Sequence, residues 1–440
     1  MSLNLGRYFL AFTIFTYGAA SAQTSESGSN PVSNRQNSPY SRYAIGDLRS
    51  GTNIAIRGMG SISTATADPF AVNTDNPASY ASLVLTTYEA AGEASSHTLR
   101  TQSRSYNTGM ATLSYVNIGI PISKNLGMAL GLRPTSRMYY NVQDSAVGSN
   151  AVPGVGNALR IYFGDGSINQ AYLGFGGKVK NFSLGFNFGY MFGSMRNTSA
   201  LVNIDTTQAY NSEVSRYTRV GGLYYNLGAM YQAKLDTHYT LRIGAKFSMS
   251  QSLNAERDEY WISYVGLGSI SSYDTVNAVL QTKGALVLPM TYGIGAQLLH
   301  TNKWTLGVDF SNTSWGDFRN FGKSDSLQAN AYRVAVGGEF TPDRSVTARK
   351  YFSKVTYRLG FYYGQDYVRL RNTDMNIYAV TAGASLPFRK SPDRIHTALE
   401  LGSRGSIANG LVKENFVKFT LGVSLNAFGN DRWFVKRKYD

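Results

Sequence analysis

The chain has 440 residues with 45 glycines, 31 tyrosines and 22 phenylalanines, no cysteine, and only 16% charged residues. Lacking cysteine, it has no disulfide framework, zinc–thiolate site or thiol nucleophile. The formal charge of +15 comes from singly scattered basic residues, apart from Lys436, Arg437 and Lys438, and no basic helix or aromatic RNA-binding motif accompanies them, which excludes nucleic acid as a partner.

Residues 1–22 read as a secretory signal peptide. Arg7 supplies a basic start, an apolar core follows, and Ala20-Ser21-Ala22 is a small-x-small cleavage site before Gln23. No other apolar run is long enough for a transmembrane helix, but an exported chain can still cross a membrane as a closed barrel. Residues 23–37, rich in Ser, Asn and Gln, read as a disordered linker. Residues 38–82 read as an N-terminal plug, with Tyr40, Tyr43 and Ile45 as anchors and Asn76-Pro77-Ala78 as a rigid closing turn. Proline fixes its own φ and biases Asn76 toward extended backbone.

From residue 83 the apolar period becomes two. Fourteen strand-like segments follow at 83–94, 109–120, 126–139, 168–179, 182–193, 222–233, 239–250, 284–299, 303–314, 331–341, 354–365, 376–388, 395–404 and 416–428. In the fifth, Phe182, Leu184, Phe186, Phe188, Tyr190 and Phe192 share one face, opposite Ser183, Gly185, Asn187 and Gly189. Tight turns such as Lys180-Asn181 alternate with long connections at 95–108, 140–167, 194–221, 251–283, 315–330, 366–375 and 405–415. Short periplasmic turns alternating with long external loops mark an outer-membrane barrel. The predicted fold is therefore all-β: a transmembrane antiparallel barrel of about fourteen strands over 83–428, with an N-terminal plug and a periplasmic tail at 429–440.

With large apolar residues facing lipid, the opposite face lines the lumen. It carries Arg242, Lys246, Asp309, Arg333, Glu339, Arg358, Glu400, Arg404 and Lys418, and many glycines. Charges of both signs could pair with Arg57, Asp68 and Asp75 of the plug, or line a water-filled pore. Inward glycines point to a filled lumen, because glycine weakens a strand and is kept where something approaches closely. Pro134 and Pro289 each predict a bulge or break, since a closed barrel has no edge to hide a missing N–H. In the last strand Val423 is expected to face lipid and Ser424 the lumen, so arginine should be tolerated better at 424. No G-x-S-x-G, H-E-x-x-H, P-loop or calcium loop is present, and His97, His238, His300 and His396 do not converge, so they read as neutral surface histidines in a non-enzyme without metal or cofactor.

The sequence Gly58-Met59-Gly60 followed by small residues, Asp68 and Asn76-Pro77-Ala78 ahead of the first strand resembles the outer-membrane fatty-acid and aromatic-hydrocarbon transporters, the FadL/TodX family. Ser61 stands where that family more often has alanine. The resemblance implies a hatch filling the barrel and passive uptake of hydrophobic small molecules. It also implies a third-strand kink, here at Gly131 and Pro134, through which ligand leaves sideways into outer-membrane lipid. Both chain ends look like those of Bacteroidota barrel proteins, implying the outer membrane of a Gram-negative cell. Related plugged barrels there serve as accessory subunits of secretion or barrel-assembly complexes, which leaves a non-transporting partner in an outer-membrane protein complex as the alternative.

Overall fold

The computed structural model describes residues 37–206, 209–265, 272–301, 303–343, 350–388 and 391–427. The expected signal peptide 1–22, the linker 23–37 apart from Asn37, and the tail 429–440 lie outside the described residues.

Fourteen antiparallel strands close into a barrel. They are β1 (Thr87–Arg100), β2 (Ser105–Ser123), β3 (Leu126–Ala146), β4 (Ala158–Val179), β5 (Phe182–Asn203) and β6 (Tyr210–Lys234). Then come β7, in two pieces (Tyr239–Ser248 and Gln251–Val265), and β8, also in two (Ser272–Leu288 and Thr291–His300). The last six are β9 (Trp304–Thr313), β10 (Ala331–Phe340), β11 (Thr356–Leu370), β12 (Thr373–Pro387), β13 (Arg394–Gly405) and β14 (Lys413–Asn426). β14 pairs with β1, Asn426 opposite Thr87 and Lys413 opposite Arg100, which completes the wall. In β5 the six large residues at even positions are exposed, while Ser183, Asn187 and Met191 are buried. A wall standing in hydrocarbon needs this arrangement, with its N–H and C=O groups paired from strand to strand.

The strands run further outward than their apolar alternation. Much of 95–108, 140–167, 194–221 and 251–283 is strand, and the connection within 366–375 shrinks to the hairpin turn Arg371-Asn372, both residues at positive φ. Beyond the bilayer a strand has no lipid face, so its alternation lapses. There Arg219 pairs with Glu256 and Arg216 with Glu259 across β6 and β7. At the other end β1 begins at Thr87 rather than 83, because Pro77–Ser82 forms a 3-10 turn capped by Leu83. Pro289 lies in the break of β8, between Leu288 and Thr291, and the β3–β4 register slips between Pro134 and Ser136.

The N-terminal segment fills the barrel. A one-turn helix, α1 (Ile54–Arg57), starts at Asn53, whose Oδ1 accepts from Ile56 N. The 3-10 turn starts at Asn76, whose backbone is extended and whose Oδ1 accepts from Ala78 N. Ile54, Ile56, Ile62, Val72 and Tyr80 are fully buried. Toward the outer end, Tyr40 and Ile45 pack with Met138, Met191, Leu253, Trp315, Phe318 and Tyr367. Trp315 and Phe318 come from the connection after β9, which folds inward rather than out.

Candidate functional site: the plug and the seam between β2 and β3

The plug meets the wall main chain to main chain. A Cβ added at Gly337 or Gly360 would come within 3.0 Å of the Met59 and Gly60 backbone, and one at Gly185 or Gly176 would do the same to Pro77. These inward glycines are floors on which the plug rests. Gly60 has φ +70°, a conformation glycine adopts without strain. Its N–H donates to Thr381 Oγ1 at 2.8 Å, Thr381 Oγ1 donates to Gly58 O at 3.1 Å, and Arg333 donates to Gly60 O at 3.1 Å. Asn76 Nδ2 donates to Thr64 O at 2.6 Å and reaches Ala229 O and Ala245 O on β6 and β7, both at 3.3 Å. Ala78 is fully buried beside Gly185.

The inward charges divide between plug and wall. Lys246 pairs with Asp75 at 3.0 Å, and Arg133 reaches the same carboxylate at 3.6 Å. Burial alone would raise the Asp75 carboxyl. Lys246 and Arg133, with hydrogen bonds from Lys246 and Ser63, outweigh it and hold the group well below the usual carboxylate range. Asp309 accepts from Ser63 N at 2.6 Å and Thr64 N at 2.8 Å, and Arg242 donates to Ala67 O at 3.1 Å. Glu339 pairs with Arg358 at 3.0 Å and Glu400 with Lys418 at 2.9 Å, both within the wall. Arg404 holds Asp47 at 2.6 Å and Asp366 at 2.5 Å. Beside it, burial pushes the Tyr40 phenol up to about 12, and its O–H donates to Val412 O.

Of the three expected plug partners, Asp75 takes lumen cations. Asp68 instead closes a local turn by accepting from Phe70 N at 2.8 Å. Arg57 pairs at 2.8 Å with Glu93, which Arg49 also reaches at 3.0 Å. Glu93 and Arg133 escaped the sequence reading; Asn187 was placed on the inward face, but not its contacts with the plug, where it donates to Thr74 O at 3.0 Å and accepts from Tyr80 O–H at 3.0 Å. Strand parity was the available signal: Glu93 shares the inward parity of Glu89 and His97 on β1. That parity also corrects the histidines. His97 and His396 are buried, His97 against Glu414 at 2.6 Å and His396 against Ser385 at 2.5 Å, whereas His238 and His300 stack in the open on adjacent turns.

The wall forks at Gly131 and Pro134. The β2–β3 ladder ends at Val116 opposite Leu132, and outward of that point β2 pairs with β1 and β3 with β4. The N-terminal segment covers the exposed edge of β3. Asp47 and Leu48 pair with Arg137 and Ser136, Arg49 N donates to Thr135 O at 2.9 Å, and Ser38 N donates to Tyr139 O at 3.0 Å. Asn37 N reaches across to Thr108 Oγ1 of β2 at 2.9 Å. A cavity of about 410 Å³ remains in the fork, lined by Arg49, Leu113, Leu132, Pro134, Met138 and Tyr139 among others.

A closed fourteen-stranded wall with a filled lumen defines an outer-membrane β-barrel protein. The same fold is seen in the toluene transporters TodX of Pseudomonas putida (14% identity, TM-score 0.56, 87% of this chain and 99% of that one) and TbuX of Ralstonia pickettii (13%, 0.56, 87% and 99%). A Pseudomonas aeruginosa FadL homologue is similar in fold as well (13%, TM-score 0.54, 86% and 99%). No curated protein matches the chain. The chain belongs to the BamG family, whose model matches residues 11–440.

Proposed function

We propose that the protein is a plugged, non-conducting barrel acting as an accessory subunit of an outer-membrane secretion or barrel-assembly complex. The observation that carries this reading is the seating of the plug. Its main chain rests on the strand glycines, and Arg49, Arg57 and Asp75 of the plug are paired with charged wall residues. A gate that cycles would need two arrangements of comparable free energy, and a packed contact of this kind favours one. Membership of the BamG family fits this role. The test is mild-detergent extraction of the intact protein, followed by sizing and single-channel recording. A complex of fixed stoichiometry with no conductance supports the role, and a monomer that conducts refutes it.

A second reading is favoured by the fork at Pro134: uptake of hydrophobic small molecules of the fatty-acid or aromatic-hydrocarbon class, released sideways into lipid. The solved structures with this fold include proteins named as toluene transporters, and the cavity in the fork adjoins the exposed Leu113 and Leu132. In this chain the N-terminal segment covers the edge that such a route would use, which is why uptake stands second. Proteoliposomes that accumulate labelled oleate or toluene faster than protein-free vesicles would reverse the order.

A further inference from the structure

The plug fills the lumen unevenly. Against β3, β4 and β5 its main chain sits directly on the wall: a Cβ added at Gly127, Gly176 or Gly185 would come within 3.0 Å of the backbone of Pro77 or Tyr80. On the other side, at the periplasmic end, it stands off from the wall and leaves a cavity of about 840 Å³. Seven adjacent strands, β7 to β13, line this cavity on their inward face, from Arg242 at one margin to Arg394 at the other. Thr66 to Ala71 of the plug form its roof. Thr341 and Asp343 of one periplasmic turn, and Phe388 and Pro392 of another, form its rim. The cavity is therefore a long cleft that opens to the periplasm and is closed from outside by the plug.

The two arginines at its margins lack counterions. Arg242 is 8% exposed, and its guanidinium donates to the plug carbonyls of Ala65 and Ala67 and to Gln232 Oε1, all uncharged. Buried charges are ordinarily paired. The carboxylates that line the cavity are committed elsewhere: Glu339 to Arg358 at 3.0 Å, Asp68 to Phe70 N at 2.8 Å, and Asp343 has a partner of its own. Among the described residues neither Arg242 nor Arg394 forms an ion pair. The Arg394 guanidinium stands 5.8 Å from the centre of the Phe70 ring. Phe388, 48% exposed, and Pro69, also exposed, add apolar surface at the mouth. A long cleft with a cation at each margin and aromatic rings beside one of them fits an extended chain that carries carboxylates and an apolar side chain.

We infer that this cavity receives an extended acidic segment of a periplasmic partner protein, its carboxylates at Arg242 and Arg394 and an apolar side chain on Phe70 and Phe388. The occupant is not lipid, because the cavity lies inside the wall, and it comes from the periplasm, because the plug closes the other way in. The inference rests on the accessory-subunit reading and adds to it the surface and the chemistry of the partner contact.

The test uses the full chain in mild detergent and a fluorescein-labelled peptide, Gly-Glu-Gly-Glu-Phe-Glu-Gly-Glu, with a counterpart in which every Glu is Gln. Binding is read by fluorescence polarisation, and assembly by heat-dependent gel mobility. Arg394→Glu carries the test, because the Arg394 side chain makes no hydrogen bond among the described residues, whereas Arg242 also holds the plug. Wild type binds the acidic peptide, and both the Gln counterpart and Arg394→Glu lower the affinity roughly tenfold or more. Phe388→Ala weakens binding as well. Lys180→Glu, the same change of charge on the periplasmic turn between β4 and β5, leaves it unchanged. Equal binding of the two peptides overturns the inference, as does equal binding by Arg394→Glu and Lys180→Glu, or displacement of the peptide by inorganic phosphate at equal concentration. A co-purifying complex that survives Arg394→Glu combined with Phe388→Ala overturns the inference and leaves the accessory role standing. Arg394-dependent peptide binding by a protein that co-purifies with nothing supports the chemistry of the cavity and overturns the accessory role alone.

Discussion

Gly360→Ala is the sharpest probe of the plug. The added methyl would lie within 3.0 Å of Gly60 N and of the carbonyl carbon of Met59, both backbone atoms of the plug, which have no rotamer with which to move aside. Overpacking of this kind costs about 1–3 kcal/mol. The strain falls on the plug contact rather than on the strand ladder, because Gly360 keeps its pairing with Gly337 and Thr381. The population of unseated plug should therefore rise about 5–150-fold. Gly177→Ala is the matched control, since the nearest atom to its Cβ is Leu126 Cδ1 at 3.8 Å. In planar bilayers Gly360→Ala should show conducting events far more often than wild type or Gly177→Ala, with normal barrel assembly. Protease reaching 58–78 from the periplasmic side should report the same change. If the two alanine variants behave alike, the glycines are not floors for the plug and the account of the filled lumen is wrong. Adding Gly337→Ala should give less than a doubled free-energy change, because both methyls press on the same Met59–Gly60 segment.

Asp75 has its folded carboxyl lowered, so its contribution to plug seating is fully present above the unfolded value of about 3.9 and is lost as pH falls through the folded one. The plug of wild type should stay protease-resistant from pH 8 down to about 5 and loosen only in strong acid, whereas Asp75→Asn should be loosened by about 1–3 kcal/mol already at pH 7. Leu421→Arg, on the lipid face of β14, should impair assembly by about 2–4 kcal/mol if it lies near the bilayer midplane, as measured by folding into vesicles. Ser424→Arg should also be damaging, contrary to the tolerance expected from parity alone. Ser424 does face inward, but it is fully buried and its hydroxyl donates to Phe70 O of the plug at 2.9 Å. A protease site inserted near Asn150 should be cut on intact cells, and cutting only after the outer membrane is opened would invert the topology.

Strand count and direction were readable because lipid imposes a face on every strand that crosses it. Phe182 to Phe192 declare that face, but Arg216 and Arg219, farther out, have water on both sides and declare nothing. The inward charges were readable by the same parity, but their partners were not. Nothing local to Arg57 says that it pairs with Glu93 rather than with a residue hundreds of positions away, and nothing near Arg404 points to Asp47. The β3 kink could be read from Pro134, since a missing N–H is a local fact. That β2 then parts from β3, and that Asp47 and Leu48 occupy the vacated edge, depends on pairings between distant segments.

The glycine floors also bear on how the chain folds. Gly60 bonds to Thr381 across 321 positions of sequence, Asn76 reaches β6 and β7, and Phe70 accepts from β14. A wall that closed first would have to admit the segment past clearances smaller than a methyl group. The plug is therefore expected to act as a mandrel around which the strands are laid, with β14 meeting β1 only after the interior is in place. The long-range loops that this order must close make it slow. The empty barrel, not the free plug, is the species such a route avoids.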